Sequence, residues 1–146
     1  MAADVKTAVS PIDDSRQPLP PLQVWALPVL AAWLIPGGGH FLLGKRGRGL
    51  LILLSVALMF FFGLAMRGAM FKPESADLLT TLINYGGFIG DLASGGLYLV
   101  TVMLGYNQPD AAGHVHDYGT KFLVTAGLLN ILAMVDAFEI AAKRKS

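Results

Sequence analysis

Asp91 stands in the middle of an apolar run, "LLTTLINYGGFIGDLASGGLYLVTVML", residues 78–104. A carboxylate near the centre of a membrane-inserted helix costs about 3 kcal/mol on insertion scales, so a residue kept there is a functional hypothesis by default. Asn84, Asp91 and Tyr98 recur every seven residues and so share one face of a continuous helix. Two ladders of small residues run beside them, Gly86–Gly90–Ser94 and Gly87–Asp91–Gly95. Small residues four apart let a neighbouring backbone come close. The chemistry open to this face is the handling of a proton or cation on a transport path. The alternative is a hydrogen-bonded Asp91 that joins helix to helix, with Asn130 or Thr125 of the last apolar segment as partner.

Three further groups have suggestive types. Gly39-His40-Phe41-Leu42-Leu43-Gly44-Lys45 matches G-x-x-x-x-G-K, the front of a phosphate-binding loop. A working loop needs a strand before it and a magnesium-holding hydroxyl after the lysine. Here "AAWLIP" precedes and Arg46 follows, and His-Phe-Leu-Leu is too bulky to let backbone amides wrap a phosphate. No nucleotide is expected. His114 and His116, beside Asp117, are metal-ligand types. They lack a third ligand nearby unless His40 lies on the same side, and no metal is expected. Asp136 and Glu139 are three apart, like paired catalytic carboxylates. The plainer expectation pairs Glu139 with Lys143 at i,i+4 and Asp136 with a base elsewhere, for instance Arg67 or Lys72. Ser55 and Ser94 have no matched histidine and acid, and no G-x-S-x-G elbow occurs. Hence no catalytic residue, no cofactor and no enzyme activity are expected.

The elements that must position these groups follow from composition. The 146 residues are 54% hydrophobic and 14% charged, against roughly 25% charged in average soluble domains. A net charge of +1 argues against a nucleic-acid partner, which asks for a concentrated basic face. Absence of cysteine excludes disulfides and thiol chemistry. Residues 1–21 are polar, with "SPIDDSRQPLPP" and no apolar run, and read as a flexible tail rather than a signal peptide.

Residues 22–146 read as one transmembrane domain with four apolar segments, at 24–43, 50–66, 78–104 and 122–142. About 20 helical residues cross a ~30 Å hydrocarbon core. The predicted fold is therefore an all-α integral membrane bundle with about four transmembrane segments. Pro36 and the glycines at 37–39 break the first segment. A glycine-rich hairpin turn through Gly39, His40 and Gly44 then holds Lys45, Arg46 and Arg48 at the lipid headgroups, and the second helix starts at Leu50. As one helix, residues 78–104 would reach ~40 Å, so they tilt or break at a glycine pair. Ala133, Ala137 and Ala141 form another small ladder with Asn130 on its extension. With four crossings, the tail, the 67–77 loop and the C-terminus share a side holding Lys6, Arg16, Arg67, Lys72, Lys143, Arg144 and Lys145. The other side holds Lys45, Arg46, Arg48 and Lys121. Seven against four places both termini in the cytoplasm, although the densest cluster votes the other way.

"HFLLGKRGRGLL" resembles the turn of the two-transmembrane-helix domain family, roughly G-x-H-x-F-Y-L-G-K-x-x-x-G-[IL], over residues 24–66. His40, Phe41, Leu43, Gly44, Lys45 and Gly49 match. One residue is missing between the histidine and the phenylalanine, and Leu42 stands where tyrosine is usual. The chain is also similar to a wider set of uncharacterised small multi-pass membrane proteins of bacteria with a PGxGHFxLGxxxRG turn, and "GLLNILAMVDAFEIA" looks typical of that set. The resemblance implies a bacterial inner-membrane location and carries no activity with it. The expected function is that of a non-enzymatic scaffold or accessory subunit in the lipid bilayer. It would pack on a second copy or another membrane protein through Gly86, Gly90, Ser94, Ala133 and Ala137. Asn84, Asp91, Asn130 and Asp136 are its intramembrane polar groups. The alternative is a transporter or channel component that uses Asp91.

Overall fold

The computed structural model describes residues 18–108 and 113–144, so most of the expected N-terminal tail, and Lys145 of the C-terminal cluster, lie outside the described residues. The described residues form α1 (Leu22–Leu34), α2 (Gly38–Leu42), α3 (Arg46–Ala65), α4 (Leu78–Ala93), α5 (Gly96–Met103) and α6 (His114–Ala141). An all-helical bundle is therefore established, and α3 and α6 are each long and apolar enough to cross a membrane.

α6 is the mast of the bundle. Its 28 residues reach about 42 Å at 1.5 Å per residue. α3 lies antiparallel to it. At the basal end, where α6 finishes, Arg48 reaches Asp136. At the apical end, where α6 begins, a Cβ at Gly63 would meet Leu123 and the Gly119 carbonyl. Val56 and Phe60 of α3 and Leu123 and Ala126 of α6 form the buried core between them. Burial at roughly 25 cal/mol per Å² describes this core in water, whereas between helices in lipid close packing and small residues carry the association.

The first apolar segment does not run through. α1 starts basally, where the Trp25 and Phe138 rings meet edge-on at 5.3 Å. It stops halfway along α6, where the Trp33 carbonyl accepts from Asn130. Pro36 and Gly37 then turn the chain. Gly37 takes φ +79°, a left-handed conformation that glycine accepts without a Cβ penalty. α2 folds back along α1, with Gly38 on the Ala31 carbonyl and Gly39 on that of Pro28, and His40 returns to the level of Asp136. α3 begins there, at Arg46 rather than Leu50.

Residues 78–104 do the same from the other end. Asp77 caps α4 by accepting from the Thr80 N–H at 3.3 Å, and the Thr80 hydroxyl first, then its N–H, hold the carboxyl below the usual carboxylate range. α4 descends to mid-α6, where Gly90 packs on Gly127 and the Ala93 carbonyl accepts from Asn130 at 2.9 Å. The chain bends by 101° at Gly95–Gly96, so of the two expectations the break at a glycine pair holds. α5 returns beside α3, with Leu97 against the Val56–Phe60 core. At the apical end the Tyr106 hydroxyl donates to the Gly68 carbonyl at 2.9 Å, and Arg67 donates to Gln108. Burial raises the Tyr106 phenol above its usual value.

Two helices, or three if α4 and α5 together count as one bent span, are long and apolar enough to cross a membrane, and the α1–α2 and α4–α5 pairs start from opposite ends of α6. The 67–77 loop lies at the apical end, away from the C-terminus. His114, His116 and Asp117 lie in the first turn of α6.

Candidate functional site

The two hairpins meet tip to tip at mid-α6. Gly95 (φ +61°) lies against the Trp33 carbonyl and Gly96 against that of Leu34. The Trp33 indole N–H donates to the Leu92 carbonyl at 3.1 Å. Asn130 donates its amide to the carbonyls of Trp33 at 3.3 Å and Ala93 at 2.9 Å. The last four carbonyls of a helix have no partner inside it and carry its negative partial charge. Here the C-terminal ends of α1 and α4 converge on one place, and side chains from α6 and α1 supply donors. Glycine at 127 is required, because any Cβ would overlap the Gly90 carbonyl.

Asp91 lies one turn above Ser94 on α4 and is 1% exposed. Its Oδ2 accepts from the Phe71 backbone N–H at 2.7 Å, and the Phe71 ring covers Gly87. Among the described residues, four buried side-chain atoms have no hydrogen-bond partner: Asp91 Oδ1, Ser94 Oγ and Asn130 Oδ1 here, and His40 Nδ1 at the basal end. Ser94 Oγ faces α6 at 3.1 Å from where a Cβ of Gly127 would stand, one turn from Asn130. At the apical end, a cavity of about 460 Å³ is lined by Phe71, Lys72, Glu74, Asn84, Asn107 and Thr120 among others. Its wall therefore includes the residue that caps Asp91.

Several expectations change. Asp91 is held by Phe71, not by Asn130 or Thr125, and Thr125 donates to Lys121 of its own helix. Asn84 donates to the Glu74 carbonyl. The bend takes Tyr98 off the α4 face, and its ring meets Phe88 at 6.4 Å. Gly86 is exposed and a Cβ there would meet nothing within 4 Å, while Gly87 and Gly90 do the packing. Ala133 and Ala137 are buried within the chain itself, where the expectation had them meet a partner.

The basal end holds a second polar group. His40 is wholly buried, not at an interface, and its Nε2 lies 2.8 Å from Asp136 Oδ2. Arg48 Nη1 is 3.5 Å from the same oxygen. Asp136 therefore pairs with these two, and Arg67 and Lys72 lie at the far end. The only sequence signal for the His40–Asp136 pair was two polar residues 96 positions apart, which spacing alone cannot join. Lys45 caps α3, with Arg46 in its first turn, both exposed, and Gly44 turns at φ +75°. The G-x-x-x-x-G-K residues themselves form most of α2 and its exit turn, and helix α1 precedes them where a phosphate-binding loop needs a strand. His114 and His116 sit at the opposite end of α6 from His40, so that trio does not assemble. Among the described residues no three His, Cys, Asp or Glu side chains group as metal ligands.

No curated protein and no solved structure is similar to this chain. A family model matches residues 27–146, which takes in all of the hairpin junction and the His40–Asp136 pair, and by that match the chain belongs to the family of unknown function DUF6677.

Proposed function

We propose that the chain is a non-enzymatic multi-pass protein of the bacterial inner membrane that works as a transport or channel component, handling a cation where its two hairpins meet. α3 and α6 would be complete crossings, and α1–α2 and α4–α5 would enter halfway from opposite faces. The observation that carries this reading is the convergence of two helix C-terminal ends on Asn130, with the buried Asp91 one turn away. Broken helices are tolerated at membrane depth where they are buried in protein or line a cavity. In membrane transporters such ends face the coupling cation.

The topology also removes the conflict in charge. Lys45, Arg46, Arg48, Lys143 and Arg144 share the basal end, and Arg67, Lys72 and Lys121 the apical end. Five against three among the described residues, with the dense cluster now in the majority, supports a cytoplasmic basal end. Purified protein in lipid vesicles tests the function. A cation or proton flux that Asp91→Asn abolishes supports it. Absence of any flux above empty vesicles under a pH, sodium or potassium gradient sinks it.

A scaffold or accessory role is the second reading. Most of the small ladders expected to meet a partner are used inside the chain. What favours the role is the open Gly86 on α4, beside the exposed Leu82, Ile83 and Ile89. Gly86→Leu should then disrupt association in mild detergent, while Asp91→Asn leaves it intact.

A further inference from the structure

We propose that the hairpin junction binds one monovalent alkali cation, sodium or potassium, with Ser94 Oγ and Asn130 Oδ1 as neutral ligands and Asp91 supplying the charge. This rests on the cation-handling function above and names its ion class.

The donor set points to the ion. Ser94 and Asn130 are wholly buried and Asp91 is 1% exposed, and each keeps one oxygen without a hydrogen-bond partner among the described residues. A buried polar atom left so has lost its water without a replacement partner, a loss that coordination of a cation would offset. All three atoms are hard oxygens, which disfavour soft transition metals. Calcium draws several carboxylates, and magnesium demands octahedral oxygens and keeps its waters. Here one carboxylate stands with two neutral oxygens. The negative ends of α1 and α4, each roughly half an elementary charge, add field without adding a second anion. A proton on Asp91 would engage at most one of the other two oxygens, as the acceptor of the carboxyl O–H. An alkali cation uses all three. An ion entering from the apical cavity would have to displace Phe71, which lines that cavity and donates its backbone N–H to Asp91.

Trp33 is a built-in reporter, since its indole N–H donates into the junction at Leu92. The full chain carries one other tryptophan, Trp25, so a Trp25→Phe background isolates the signal. In detergent micelles at constant ionic strength, choline chloride is replaced stepwise by sodium, potassium, calcium or magnesium chloride. The expected result is a saturable change in Trp33 emission with sodium or potassium, accompanied by a rise in the thermal unfolding midpoint. Ser94→Ala should raise the half-saturating concentration at least tenfold, and Asp91→Asn should remove the response. Ser94→Cys and Asp91→Glu serve where those variants do not fold. No saturable response to either alkali ion, a tighter response to calcium or magnesium, or Ser94 and Asp91 variants that bind like the parent would each overturn the proposal. Vesicle flux separates the two levels. An Asp91-dependent proton flux indifferent to sodium and potassium overturns the alkali-ion assignment and leaves transport standing. Saturable alkali-ion binding without flux upholds the site and removes transport.

Discussion

The side-chain amide of Asn130 donates to the backbone carbonyl of Ala93 over 2.9 Å, joining the middle of α6 to the end of α4. The same nitrogen serves the Trp33 carbonyl at the end of α1. One residue thus supplies donors to two helix ends that lie 60 positions apart in the chain. Asn130→Ala leaves both carbonyls short of a donor in a dry interior. The expected destabilisation is about 3 kcal/mol, read from thermal unfolding in detergent. Thr125→Ala, which removes only a bond within α6, should stay within about 0.5 kcal/mol.

Gly95 and Gly86 should respond in opposite directions. At Gly95 the backbone has φ +61° and the Trp33 carbonyl occupies the Cβ position. Gly95→Ala therefore combines left-handed strain with overlap and should cost more than about 3 kcal/mol or leave no folded protein. At Gly86 the space is open, and alanine in a helix interior gains about 0.5–1 kcal/mol over glycine. A destabilised Gly86→Ala would show that something outside this chain packs there.

The His40–Asp136 pair fastens α2 to α6. His40→Ala should cost at least about 2 kcal/mol, because a hydrogen bond to a charged group is lost along with buried volume. A double-mutant cycle with Asp136→Asn should give a coupling of about 1–2 kcal/mol. Arg48 is half-exposed and lies 3.5 Å away, so Arg48→Ala should cost less than about 1 kcal/mol. A coupling near zero between His40 and Asp136 would show that the two do not meet.

Membrane topology can be read cleanly because the chain has no cysteine. Single cysteines at Glu74 and Asn107 should react with an impermeant thiol reagent from one face of the membrane. Those at Lys45 and Lys143 should react from the other. Four complete crossings would instead group Glu74 with Lys143.

Much of the local structure was legible in the sequence. Pro36 and the following glycines mark a break, since proline lacks an N–H and glycine lacks the Cβ that resists left-handed turns. Residues 78–104 hold two glycine pairs, Gly86–Gly87 and Gly95–Gly96, either of which could break the helix, and the chain turns at the second. The small Ala133–Ala137 ladder was visible as a packing face, but its partner was expected outside the chain and lies within it. Polar partners were less legible: Asp91 was matched to side chains of the last segment, and its donor is a backbone N–H from the 66–77 connection. Backbone donors outside regular helices leave no trace in residue type.

Sequence by itself determined that this chain is helical, apolar enough for membrane-length helices, and broken at Pro36 and the glycines after it, with a tilt or a glycine-pair break left open in residues 78–104. Those are steric and solvation properties that each residue carries wherever it sits. Only the tertiary structure decided the direction taken after each break. A glycine turn permits both a through-going and a returning chain. The choice falls to whichever path pairs the freed carbonyls and packs the small faces, and that depends on Asn130, Gly127 and His40 meeting residues far away in the chain.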